Sequence, residues 1–149
     1  MDRKAAMTTL YDEDFLKWTK RNSELLRRGC FAEADILHIA EEIEDMGKRD
    51  QREVRSYLIR LVLHLLKWQV QPEKRSDSWL DSIGQSRIEL GGIFEQSPSL
   101  EPFARRILPV AYRLAVRQAI KETGLPAQSF SKICPFTYEQ AIDLDFLPE

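Results

Sequence analysis

The stretch Arg55–Trp68, RSYLIRLVLHLLKW, constrains the fold more than any other part of the chain. It places Tyr57, Leu58, Leu61, Val62, Leu65 and Leu66 at i, i+1, i+4, i+5, i+8 and i+9, the wide apolar stripe of a helix packed into a core. On the edge of that stripe sit His64, Lys67 and Trp68, which packing alone does not require. Ser78-Trp79 follows after a turn through Pro72. A buried helix of this kind needs other helices to cover it, and the punctuation of the chain supplies them.

The first helix is expected to begin at Asp12, whose carboxylate can accept from a free amide of the first turn. It runs to Arg28 and stops at Gly29, which enters the left-handed region without cost. Phe15, Trp18, Asn22, Leu25 and Leu26 form its inward face. A second helix is expected from about Ala32 to Met46, with Ile36, Ile39, Ala40, Ile43 and Met46 inward, and Gly47 marks either a break or a tight kink. The third, about Arg49 to Gln71, carries the opening stripe and ends at Pro72. Ser76 to Ser78 offers caps for a fourth through Phe94, weakened at Gly91-Gly92. Ser99 caps a fifth, which runs to Thr123-Gly124 with a kink at Pro109. The tail from Leu125 holds four prolines and is expected to wrap over the bundle, with a short helix from Thr137 to Asp143 opened by a Thr137/Gln140 capping box. No segment has strand period, and no repeat or low-complexity tract is present. The fold class is therefore all-α: residues 1–9 a disordered N-terminus, and residues 10–149 a single antiparallel helical bundle of about five main helices, with a Pro-containing tail.

Composition narrows the function. At 149 residues the chain can bury roughly 68–70% of its unfolded surface, so it folds without metals or disulfides. Its net charge of −2 gives no global reason to bind nucleic acid or an anionic membrane. Cys30 and Cys134 lack zinc or disulfide spacing and read as reduced thiols. The N-terminus has no apolar secretory region, and the longest apolar run, Leu61 to Leu66, is too short to span a bilayer. A cytoplasmic location is expected, with no cofactor.

Ordered motifs along the chain resemble one family. They start with Leu10-Tyr11-Asp12, Asp14-Phe15 and Trp18, then Glu41-Glu42-Ile43-Glu44 with Met46-Gly47. His64-Leu65-Leu66-Lys67-Trp68, Ser78-Trp79, Ser97-Pro98-Ser99-Leu100 and Ala111-Tyr112 follow. Glu122-Thr123-Gly124-Leu125, Cys134-Pro135-Phe136 and Asp145-Phe146-Leu147-Pro148 close the series. The chain is thereby similar to the bacterial domain-of-unknown-function family twenty-nine, frequent in cyanobacteria, over about residues 10–148. The resemblance implies a compact all-helical domain and carries no activity or catalytic residue with it. The family pattern has Asn where this chain has His38, so a site that needed His38 would not be family-wide.

Four groups of side chains are candidates for function. Glu41, Glu42, Glu44 and Asp45 are acidic, but on a hairpin about Gly47 His64 lies about 15 Å or more along the axis from them. A metal shared with His64 is therefore disfavoured, and the acids read as a solvated face or as ion-pair partners for Lys48, Arg49 and Arg52. His38 with Glu41, Glu42 and Asp45 forms an i, i+3, i+4, i+7 surface able to hold a hard divalent ion, or an exposed histidine among favourable charges. His64, Lys67, Trp68, Trp79 and Arg87 form the third group. His64 and Trp68 are i, i+4 neighbours and Trp79 can fold back on them. His64 is there either a general acid or base or a core histidine with satisfied nitrogens.

The fourth group is an arginine row on the fifth helix, Arg105, Arg106, Arg113 and Arg117, of which Arg106, Arg113 and Arg117 share one face at i, i+7 and i+11. It can grip an anion or a partner's carboxylates, or clasp the acidic tail. No aromatic interleaves it as a nucleic-acid platform requires, and no Walker loop, dinucleotide fingerprint, nucleophile elbow or HExxH is present. The sequence thus points to a protein-interaction or regulatory module, its partner a protein or a second copy bound at an exposed helical face or at the tail. The alternative is a small hydrolase or metal-assisted enzyme that uses His64 and Lys67 with at least two acids.

Overall fold

A computed structural model describes residues 9–149, and among them every regular element is helical. The first eight residues, most of the segment expected to be disordered, lie outside the described residues. The elements are α1 (Leu10–Glu13), α2 (Phe15–Arg27), α3 (Ile36–Val70), α4 (Asp77–Gln96), α5 (Leu100–Thr123) and α6 (Tyr138–Ile142), with 3-10 turns at Pro72–Lys74 and Ala127–Ser129. Contacts divide the chain into two compact units, one ending at Lys48 and one from Arg49 to Glu149.

In the first unit the helix expected from Asp12 is two helices. Asp14 rather than Asp12 caps the longer one, its carboxylate accepting from the Lys17 amide at 3.0 Å. Asp12 instead accepts from the Thr9 hydroxyl at 2.9 Å. Gly29 ends α2 as expected, at φ 72°. Of the expected inward face, Trp18 and Asn22 are buried while Phe15 and Leu26 are exposed.

The largest departure is at Gly47. No break occurs there: α3 is a single helix of 35 residues. Glycine costs only about 1 kcal/mol in a helix interior, too little to end a helix whose flanking turns are strong formers. The hairpin expected about Gly47 does not exist. Asp45 and His64 lie nineteen residues apart within that one element rather than on two facing helices.

In the second unit Val54, Leu58, Leu61, Val62, Leu65 and Leu66 are at most 1% exposed. They pack with Ile83 and Leu90 of α4 and Ala104, Leu108, Ala111, Ala115 and Ala119 of α5. The connections are short because Pro72 and Pro98 stop their helices; Ser76 accepts from the Trp79 amide and opens α4. The helix α5 continues through Pro109 and ends at Gly124, φ 71°. The tail joins the core through Phe130, Phe136, Tyr138 and Ala141, and the Thr137/Gln140 capping box forms as expected. No helix among the described residues is long and apolar enough to cross a membrane.

Candidate functional site

The arginine row lies on α5 beside the tail, and there the structure forms a trough. Its floor and walls are Leu108, Pro109, Tyr112, Val116, Phe130 and Ile133, with Cys134 at one side. Two adjoining hollows of about 420 and 370 Å³ share Tyr112, Arg113 and Lys132. The tail is held there by the Tyr112 hydroxyl, which donates to the Ser131 carbonyl at 2.5 Å. Arg113, Arg117 and Lys132 rim the trough, and among the described residues no carboxylate lines it. None of the three makes an ion pair among the described residues. Burial pushes the Cys134 thiol up, so it stays protonated and poorly nucleophilic.

Arg113 and Arg117 do not clasp the acidic tail. Arg105 does so, pairing with Glu139 and lying 4.4 Å over the Tyr138 ring. Arg106 rests near Phe103 on the outer surface. Arg87 is 4% exposed and donates to the carbonyls of Gln140, Ala141, Leu144 and Phe146. Gln140 and Ala141 are orphan acceptors at the end of α6 and Leu144 and Phe146 lie beyond it, so the guanidinium is committed to holding the tail.

His64 lines a separate open cleft of about 430 Å³ with Ser56, Arg60, Gln118 and Glu122. Its Nδ1–H donates to the Arg60 carbonyl at 2.7 Å, which fixes the tautomer and leaves Nε2 as the basic nitrogen. Burial holds its pKa below the ordinary value, so the ring is neutral near pH 7. Lys67 pairs with Glu122 at 3.1 Å and stands 4.9 Å from the Trp79 ring centre. Trp68 is covered by Arg75, which also donates to its carbonyl at 2.9 Å. The expected His64–Trp68–Trp79 stack therefore does not form; each indole takes its own cation. Glu122 is the one acid among the described residues that lines the cleft.

In the first unit His38 does not join Glu41, Glu42 and Asp45. No group of three or more metal-capable side chains occurs among the described residues. His38 Nδ1 bonds the Asp35 carboxylate at 2.6 Å, and the same oxygen accepts from Trp18 Nε1 at 2.9 Å. Tyr11 stacks on His38 at 4.0 Å and donates to Glu42 at 2.5 Å. Buried Asn22 accepts from the Asp35 amide at 2.8 Å and donates to the Trp18 carbonyl. The hydrogen bond to Asp35 holds the His38 pKa up and the same bond holds Asp35 down; Glu42 pushes the Tyr11 hydroxyl up to about 12. The sequence reading missed this cluster. Its signal was present: Asp35 lies three residues before His38, the spacing of an acid that closes a helix N-terminus onto the first turn, but the helix was expected to start at Ala32.

Over residues 10–147 the chain matches the family described as Domain of unknown function DUF29. No curated protein and no solved structure matches it.

Proposed function

The chain belongs to the DUF29 family, and from that premise we propose that it is a protein-interaction module whose trough between α5 and the tail takes an acidic partner segment bearing apolar side chains. One observation carries this reading: among the described residues, Arg113, Arg117 and Lys132 rim an apolar trough lined by no carboxylate and make no ion pair. Cations beside apolar surface favour a ligand that brings both negative charge and apolar contact. Such recognition draws on exposed charges, so it weakens as salt shortens their reach.

The hydrolase alternative requires two acids beside His64, and among the described residues the cleft there offers Glu122 alone, already paired with Lys67. That difference favours binding over catalysis.

The test is fluorescence anisotropy with a labelled peptide of alternating Glu and Leu. Binding is expected, falling steeply with added salt and at least tenfold weaker in Arg113→Glu. Peptide affinity unchanged by Arg113→Glu and by Lys132→Glu would refute the proposal.

A further inference from the structure

The cleft beside His64 lies between α3 and α5, within the Arg49–Glu149 unit. Its volume of about 430 Å³ is that of a small-molecule site. Past Gln118 and Glu122 it opens onto a second hollow of about 660 Å³, where Arg117 and Lys121 stand. Ile59 and Leu63 give the cleft an apolar side.

His64 offers one open hydrogen-bond acceptor there. Its Nδ1–H is engaged by the Arg60 carbonyl at 2.7 Å, and Nε2 takes no bond from a protein donor among the described residues. Nor is Nε2 sealed from solvent, because among the described residues the Tyr138 hydroxyl is the one buried side-chain polar atom without a partner. Burial opposes charging of the ring, and Lys67 and Arg60 add to the effect against Glu122. A neutral imidazole held in this tautomer accepts at Nε2 and cannot donate there.

The charges around the ring suit an anion. Glu122 is already answered: its two oxygens accept from Lys67 Nζ and Gln118 Nε2, each at 3.1 Å. Arg60, Arg117 and Lys121 make no ion pair among the described residues, and the Arg60 guanidinium reaches the Ser82 hydroxyl at 3.5 Å. A carboxylate ligand would answer these cations but brings no proton for Nε2 at neutral pH. A phosphate monoester brings both. Its second pKa is about 6, so near neutrality it is strongly anionic and its monoanion has a hydroxyl to donate.

We propose that this cleft binds the phosphate group of a small organic phosphate, whose hydroxyl donates to His64 Nε2 and whose organic body lies on Ile59 and Leu63. Arg60, one helical turn before His64 on the same face, pairs with the phosphate charge. Lys121 adds attraction from the adjoining hollow. The site is independent of the acidic segment assigned to the trough.

The experiment is proton NMR of the full chain, following the His64 imidazole during titration with phenyl phosphate. A saturable shift of that ring is expected, with its titration midpoint moving upward because the bound anion favours the imidazolium. The His38 ring stays where it was. Arg60→Glu is expected to weaken binding at least tenfold, and Lys121→Glu to weaken it by less; both side chains are exposed, so the fold is kept. Benzoate, with the same ring and a charge but no proton to donate, binds at least tenfold more weakly. Inorganic phosphate binds at least fivefold more weakly for want of the ring, and equal affinity would overturn the assignment to an organic phosphate. Arg113→Glu and Lys132→Glu, on the trough, leave the titration unchanged, so the failure of one proposal does not carry over to the other. No saturable shift of the His64 ring, benzoate as tight as phenyl phosphate, or an affinity indifferent to Arg60→Glu overturns the inference.

Discussion

The two histidines of this chain face opposite electrostatic environments, and each prepares a different titration. His38 is bonded to Asp35, which favours the imidazolium and holds its pKa above 6.5. Its contribution to stability is therefore complete below about pH 6.5, the unfolded value, and is lost as pH rises through the raised folded value. Asp35 is held below its ordinary 3.8 by the same bond, so its contribution is present above that value and lost as pH falls through the lowered one. His64 is partly buried, and the lost hydration holds its pKa below 6.5. Its effect has the other sign: stability declines as pH falls from about 6.5 towards the folded value. Proton NMR of the imidazoles checks this. His38 is expected to titrate above 6.5 and return towards it in Asp35→Asn, whereas His64 titrates below 6.5 and is indifferent to that change. Coincident titration of both rings in wild type would contradict the assignments.

Among the elements, the tail depends on one side chain of α4. The Arg87 guanidinium satisfies four carbonyls of residues 140–146 with distances from 2.8 to 3.4 Å, including those that a short helix leaves unpaired at its end. Removing it would bury acceptors without donors, a loss of about 3 kcal/mol or more. Arg87→Ala is expected to lower the free energy of unfolding by that amount in denaturant titration and to make the chain beyond Thr137 sensitive to protease. Arg87→Lys recovers only part, because an ammonium lacks the planar fork that reaches several carbonyls at once. Equal stability of Ala and wild type would remove Arg87 from this role. The capping box that opens α6 was legible from Thr137 and Gln140 alone, since both partners lie within one turn. The use of Arg87 was not, since its acceptors are backbone atoms more than fifty residues away.

At the scale of the whole molecule, burial is uneven. Val54 to Leu66 hold the centre of the Arg49–Glu149 unit, while the described residues up to Lys48 bury Trp18 and Asn22. Native-state hydrogen exchange at low protein concentration should rank the amides accordingly. Those of Leu58–Leu66 are expected to exchange only through global unfolding, and those of α2 through a smaller opening. Uniform protection of the two sets would contradict this ordering.

The sequence by itself determined the all-helical class and several helix ends. The periodicity of Arg55–Trp68, Gly29 and Gly124 at positive φ, Pro72, and the Ser76 and Thr137 caps act within one or two turns, so their physics is complete in a few neighbouring residues. Tertiary structure alone decided the rest. An interior glycine either ends a helix or is carried through it according to what surrounds it, and α3 does not end at Gly47. An apolar stripe specifies that a face needs covering without saying by what, and so Ile36 and Ile43 read as core although they are exposed. An arginine row shows charge but not its partners, and only the folded tail separated Arg87 and Arg105, which hold it, from Arg113 and Arg117, which remain at the trough. Each of these outcomes depends on groups distant in sequence, whose approach is a property of the packed chain.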